Sequence, residues 1–261
     1  FMGKSSKDKY ELGKEMFLQG KTTMNIAKEL NISRSRFSRY LRECGIDSQQ
    51  YHKFPIDENV FNVIDTEEKA YWLGFWFADG YVSSNRNTVG IDLKPSDLNH
   101  LNKLKTFLKW KGDIKVEETR CRLNFRNDKI KNDLIKYGCV PNKSLTLKFP
   151  KSIKESFIPA FIRGYFDGDG CLCYTEKTLE VSVISTYEFL ESICDIINID
   201  KKRIYDLNKN KKTSRIVLSS KKDIKNFLEY IYKDANIYLD RKYEKYKNLK
   251  TAVFDRNIKD N

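Results

Sequence analysis

Histidine is almost missing from this chain: His52 and His100 are the only two in 261 residues. A zinc finger, an HNH-type nuclease centre or a histidine-based hydrolase would need more imidazole than that. The six cysteines, Cys44, Cys121, Cys139, Cys171, Cys173 and Cys194, form no CxxC pair and no zinc spacing. They read as reduced thiols of a cytosolic protein. Apolar runs are short as well. None approaches the ~18 residues that span a bilayer, and no apolar signal segment is visible at the start. Any chemistry here has to rest on carboxylates and lysines.

Positive charge is what the chain has in excess. Lysine and arginine number 49 against 36 aspartates and glutamates, a formal net charge of +13. Such an excess suits a polyanionic partner, nucleic acid or an acidic membrane surface, better than a small-molecule substrate. With 40% hydrophobic and 33% charged residues the composition is that of a globular protein. The length suffices for one large domain or two smaller ones.

Ile26, Leu30, Phe37 and Leu41 recur at helical spacing and Cys44-Gly45 closes the run, which predicts a small all-α domain over residues 1–47. Residues 48–64 are polar and aperiodic, a linker. From residue 65 the pattern becomes helix, hairpin, helix, hairpin, helix. Asp65 as cap with Glu68 three residues later makes a capping box, and Gly80 offers a left-handed stop. Strands are expected over 81–84 and 88–94, where Val89, Ile91 and Leu93 alternate with polar residues. A helix over 95–110, a hairpin from 114–118 and 120–126, and a helix ending near Gly138 follow. After a connection at 142–155 the same order starts again near Phe157 and ends in a basic helix from Leu239. The predicted fold class is α+β. An αββαββα unit occurs in duplicate, over residues 65–141 and 156–261, behind the small all-α domain.

The duplication is visible in one nonapeptide. Trp72-Leu73-Gly74-Phe75-Trp76-Phe77-Ala78-Asp79-Gly80 aligns with Ile162-Arg163-Gly164-Tyr165-Phe166-Asp167-Gly168-Asp169-Gly170, each position 90 residues after its counterpart. Gly74 and Ala78, like Gly164 and Gly168, share a helix face, so the two helices can approach backbone against backbone. Asp79 and Asp169 then meet at adjoining helix C-termini. This is an unfavourable place for two carboxylates, because the helix ends are themselves partly negative and the acids repel each other. A divalent cation resolves the conflict. Magnesium takes one or two carboxylates plus substrate phosphate, and would polarise a phosphoryl oxygen and activate a water.

These paired nonapeptides resemble those of the LAGLIDADG homing endonucleases in the single-chain form with two motifs. The flanking Lys69-Ala70-Tyr71-Trp72-Leu73-Gly74, Asn142-Lys143-Ser144 and Tyr243-Glu244-Lys245-Tyr246 are similar to bacterial and phage members. The resemblance covers about residues 60–250. It implies a saddle of antiparallel strands over double-stranded DNA and metal-dependent cleavage of both strands by one monomer with internal pseudo-symmetry, in the cytoplasm of a bacterial or phage-infected cell. It assigns metal to the eighth motif position, here Asp79 and Asp169, with the neighbouring Ala78, Gly80 and Gly168 around it. Two or three Mg2+ ions near the pseudo-twofold axis are implied, with Mn2+ or Ca2+ able to substitute in binding. It also places catalytic basic residues at strand ends, which here are Lys94, Arg126 and Lys222 or Lys221. At the sixth position the second motif keeps Asp167 whereas the first has Phe77.

The strands suggest a surface for such a partner. Alternation in 120–126 puts Arg120, Arg122, Asn124 and Arg126 on one exposed face, residue types that pair with guanine, adenine or phosphate. The second repeat offers Arg203, Arg215 and the hairpin-tip residues Lys209, Lys211 and Lys212. Near the start, residues 22–41 resemble a helix-turn-helix, in which Ala27 allows close approach, Asn31 suits the turn and Ser33 caps the second helix. Between Lys21 and Arg42 lie six basic residues and one acid, Glu29. Ser33, Arg34, Arg36, Arg39 and Arg42 would face a major groove and its flanking phosphates. Two other functions stay open on the sequence: a catalytically silent DNA-binding regulator on the same scaffold, and an RNA maturase. Protein splicing is not expected, since the visible ends lack the nucleophile and His-Asn pair it needs.

Overall fold

The structure is a computed structural model that describes residues 6–19, 21–46, 54–207 and 213–255. The chain divides into two compact units. One holds the residues up to Ile56 together with Lys109–Gly112, and the other holds Asp57–Leu108 and everything from Asp113 onward.

The first unit is built on three helices, α1 (Ser6–Leu18), α2 (Thr23–Glu29) and α3 (Arg34–Glu43). Thr22 and Ser33 cap α2 and α3, their hydroxyls accepting from the backbone N–H groups of Asn25 and Arg36. The turn between them runs through Asn31 at φ 50°, a left-handed position that asparagine tolerates. Met16, Phe17, Ile26, Phe37 and Leu41 close a small core. Phe54 packs edge-on against Trp110, and the Lys111 N–H donates to the Pro55 carbonyl at 3.1 Å.

The second unit repeats one pattern twice. Its first half runs α4 (Glu67–Ala78), β1 (Gly80–Val82), β2 (Thr88–Leu93), α5 (Leu98–Phe107), β3 (Lys115–Val116), β4 (Cys121–Arg126) and α6 (Asp128–Tyr137). The second half runs α7 (Ile158–Asp169), β5 (Gly170–Tyr174), β6 (Leu179–Ser185), α8 (Tyr187–Ile197), β7 (Ile204–Asp206), β8 (Ser214–Leu218) and α9 (Lys221–Tyr232), followed by α10 (Asp240–Leu249). Each half forms an antiparallel sheet, in the order β1-β2-β4-β3 and β5-β6-β8-β7. Gly80 stands opposite Ile91 and Leu123, and Gly170 opposite Val183 and Ile216, so the two sheets start alike at the two motif ends. This is the duplicated α+β architecture that the sequence predicts.

Several local expectations are corrected. The cap of α4 is Thr66, whose hydroxyl accepts from the Lys69 N–H at 3.2 Å, while Asp65 instead pairs with the Lys69 ammonium at 2.7 Å. Gly80 is not a left-handed stop but the first residue of β1. It is glycine for space, since a Cβ there would lie 2.2 Å from the Trp76 ring. The helix expected to reach residue 110 ends at Phe107, and Lys109 turns the chain at φ 49°. The end of the expected linker is core: Phe61 is buried against Trp76 and Phe107.

Candidate active site

α4 is apolar on every side, with residues 70–77 all buried, which marks a helix enclosed by its neighbours. It packs on α7 without side chains between the backbones. A Cβ on Gly74 would fall 2.0 Å from the Phe161 carbonyl oxygen, and one on Gly164 would fall 1.9 Å from that of Tyr71. At the C-terminal ends a Cβ on Gly168 would lie 2.4 Å from the Ala78 Cβ and 3.1 Å from Asp79 Oδ2. The Asp79 carboxyl is therefore set against the residue preceding Asp169. Burial, and next the charge of Asp169, push Asp79 up to about 6. Asp169 reaches solvent at the mouth of the pair, and partial loss of water around its carboxyl raises it as well.

Two buried lysines lie behind this pair. Lys143 Nζ donates to the Ala78 carbonyl at 3.1 Å and to that of Gly80 at 2.5 Å. Lys242, on α10, donates to the carbonyls of Phe166, Gly168 and Gly170. Each motif helix thus ends on an ammonium group that satisfies its last carbonyls and offsets its negative pole. Both lysines lower the two aspartates electrostatically, against the larger effect of burial. Burial in turn pushes Lys242 down to about 8. Sequence reasoning missed these residues as site components. They follow their aspartates by 64 and 73 residues, an unequal spacing, and come from a short 3-10 turn and a helix that no periodicity ties to the motifs.

This arrangement bears on the expected metal ligands. The carbonyls of Ala78, Gly80 and Gly168 accept from lysine with one lone pair and keep a second, so they stand beside the carboxylates of Asp79 and Asp169 as oxygen donors at the helix ends. Among the described residues no cluster of three or more histidine, cysteine or acidic side chains could hold a metal. Two carboxylates, with phosphate and water oxygens completing the shell, fit the preferences of Mg2+.

Asp167, the sixth residue of the second motif, faces inward. It is fully buried and accepts from the Tyr71 hydroxyl at 2.8 Å, the Leu239 N–H at 2.7 Å and the Tyr232 hydroxyl. It ties α4, α9 and the approach to α10 around α7. Its counterpart Phe77 meets Phe161 edge-on instead, so the departure at this position substitutes ring packing for a polar knot.

The basic residues assigned to catalysis by resemblance separate. Lys94 is exposed just past β2, toward the Gly80 end. Arg126 pairs with Thr88 at the hairpin end, three rows or ~10 Å along the strand from the row of Gly80. Lys222 is exposed on the first turn of α9. Arg122, Asn124 and Arg126 do share one sheet face, but that face carries acids too. Arg122 forms a two-pronged pair with Asp92, and Arg120 binds Glu117 at 2.7 Å. Arg215 is paired with Glu180, and Arg203 approaches Asp223 at 3.5 Å. Lys209, Lys211 and Lys212 lie outside the described residues. In the first unit Arg34, Arg36, Arg39 and Arg42 are all exposed on α3, next to the capping Ser33.

A family model described as a LAGLIDADG-like domain matches residues 156–232. The chain is 29% identical over 252 residues to a probable translation initiation factor IF-2 of Methanocaldococcus jannaschii, covering 85% of this chain and 20% of that protein. It spans about a fifth of that relative's length. It is 26% identical over 215 residues to the intron-encoded DNA endonuclease ai2b of Dictyostelium discoideum, covering 70% of this chain and 79% of that one. Among solved structures, the LAGLIDADG homing endonuclease I-GzeII in complex with its DNA target superposes with a TM-score of 0.53. Its identity is 14%, covering 72% of this chain and 91% of that one. I-SmaMI, bound to uncleaved DNA target in the presence of calcium ions, gives a TM-score of 0.50 at 14% identity, covering 72% and 92%. Residues 156–232 thus match the LAGLIDADG-like domain model, and the duplicated unit has the fold of the LAGLIDADG homing endonucleases.

Proposed function

We propose that this protein is a site-specific DNA endonuclease of the homing type, cutting both strands with one motif aspartate serving each. The observation that carries this reading is the pair Asp79 and Asp169, held together at two helix ends where burial raises both and the charge of Asp169 raises Asp79 further. Proteins do not keep two such carboxylates adjacent for stability, and a bound cation with a phosphate relieves the strain. The fold supports the reading, as do the DNA complexes of its structural neighbours and a net charge of +13.

Asp79 and Asp169 would hold the divalent ion, Mg2+ by donor chemistry. When bound, that ion supplies charge neutralisation at the phosphate and a more acidic water. The protein's own part is to orient. The glycine contacts fix the two carboxylates relative to each other, and Lys143 and Lys242 lend positive charge from behind. Arg122, Asn124 and Arg126 offer donors to base edges and phosphates from the first sheet, and α3 extends contact through Ser33, Arg34, Arg36, Arg39 and Arg42 as a helix-turn-helix. Because both aspartates come from one chain, a monomer suffices.

Incubation with a randomised duplex library and Mg2+, followed by sequencing of the cut ends, tests the proposal. A recurrent cut site is expected. Asp79→Asn and Asp169→Asn should each abolish double-strand cleavage while leaving binding nearly intact. Wild-type cleavage in either variant would remove these residues from the chemistry. Binding without any cleavage would leave the regulator, and selective binding of structured RNA the maturase.

A further inference from the structure

The two sheets turn chemically different faces outward. Register places Tyr81, Gly90 and Asn124 in one row of the first sheet, and Asp92, Arg122 and Lys115 in another. That face is rich in hydrogen-bond donors. In the second sheet the matching rows are Cys171, Ser182 and Val217, then Ile184, Arg215 and Tyr205. Ile184 is 43% exposed and Tyr205 is 52% exposed, while Leu172, Val181, Val183, Ile216 and Leu218 fill the core on the opposite side. The charged residues of this face, Glu180 and Arg215, bind each other, and Arg215 also donates to Ser182 at 2.9 Å. The apolar members of this face, Cys171, Cys173, Ile184, Val217 and the Tyr205 ring, stand on either side of that paired group.

Apolar side chains around a self-paired charged group are poor partners for phosphate and for most base edges. One group in the major groove of DNA is apolar, the C5-methyl of thymine. Both sheets begin immediately after their motif aspartates, β1 at Gly80 and β5 at Gly170. A duplex that meets both carboxylates therefore runs on along both faces. Resting on the endonuclease reading above, we infer that the two halves of the target are read by different chemistry. The first sheet selects its half through hydrogen bonds from Asn124 and Arg126, beside the Asp92–Arg122 pair. The second sheet selects a thymine-rich half by packing Ile184 and Val217, with their neighbours, against thymine methyls.

The test uses the whole 261-residue chain and the duplex recovered from the library, without divalent ion so that binding alone is read. Deoxyuridine replaces thymidine in one half at a time, which removes methyls and keeps base pairing. In one half, Kd should rise about fourfold per methyl removed, the worth of one buried carbon. In the other half it should change by less than about twofold. The double variant Ile184→Ala, Val217→Ala should bind uridine and thymidine duplexes equally in the sensitive half. Both side chains lie on the outward face, so an unshifted Tm is expected. If the pair does not fold, Ile184→Thr alone carries the same comparison. Equal tolerance of uridine in both halves overturns the inference, as does a penalty that survives in the variant. A protein that recovers no duplex at all fails earlier, at the proposed function, and takes this inference with it.

Discussion

His100 is 1% exposed, and its ring makes one hydrogen bond, between Nε2 and the Tyr71 hydroxyl at 3.0 Å, while Nδ1 is buried without a partner. Protonating it would bury a charge and an unpaired N–H, so burial pushes its pKa down from 6.5 to about 3. The folded state therefore refuses a proton that the unfolded chain accepts below about pH 6.5. Stability from this residue is complete above that pH and is lost as pH falls toward 3, at up to ~1.4 kcal/mol per unit. Asp79 acts in the opposite sense. Its carboxyl is raised from 3.8 to about 6 in the fold, so protonation between those values favours the folded state. The two slopes overlap, and a variant separates them. His100→Leu carries a constant cost from the lost Tyr71 bond. Relative to wild type, however, it should gain stability steadily as pH drops from 6 to 4, measured by urea melts. A difference that stays flat with pH would show that His100 does not titrate this way.

The pair of motif helices depends on glycine where backbones cross. Gly74→Ala or Gly164→Ala would push a methyl to within 2.0 or 1.9 Å of a carbonyl oxygen on the other helix. Forced separation should cost about 1–3 kcal/mol, a fall in Tm of roughly 4–10 °C, and DNA binding and cleavage should decline together. An unchanged Tm would mean that the interface yields freely. The lysine caps are a second element-level feature. Lys143→Met would strip the Ala78 and Gly80 carbonyls of a buried donor and should cost ~1–3 kcal/mol, whereas Lys222→Met, on an exposed turn, should stay within about 0.5 kcal/mol in the same thermal melt. These helices also mark what could be read from the sequence. The 90-residue repeat and the small residues at Gly74, Ala78, Gly164 and Gly168 were legible because local spacing alone puts them on one face. Thr66 was missed because Asp65 and Thr66 are both good caps, and the choice depends on Asp65 reaching the Lys69 ammonium. Lys143 and Lys242 were illegible as caps because their partners are carbonyls more than 60 residues away, set by tertiary packing. The strand alternation exposed Arg122, but the cross-strand neighbour Asp92 that pairs with it appears only with the register.

At the scale of the whole molecule, positive charge is distributed unevenly between what is already paired and what is left for a polyanion. In the duplicated unit Arg120, Arg122, Arg203 and Arg215 each have an acidic partner. In the first unit Lys21 is bound to Glu29 at 3.0 Å, so it is a weaker candidate for phosphate than its position in the sequence suggests. Arg34, Arg36, Arg39 and Arg42 remain exposed along α3, where the contacts of Arg34 to Thr23 and of Arg42 to the Ser38 carbonyl are long, 3.4 Å each. Deletion of residues 1–46 removes these four arginines along with a unit that has its own core. If each meets one phosphate, about 0.9 counterions per contact are released, so the slope of log affinity against log salt should become shallower by ~3–4 on truncation. The nuclease footprint should shrink on one side only, since one such unit precedes two sheets. Cleavage at the same phosphates should survive at low salt, because Asp79, Asp169 and both lysine caps lie outside the deletion. If salt slope and footprint are both unchanged, α3 presents a solvated basic face rather than a reading helix, and recognition belongs to the two sheets alone.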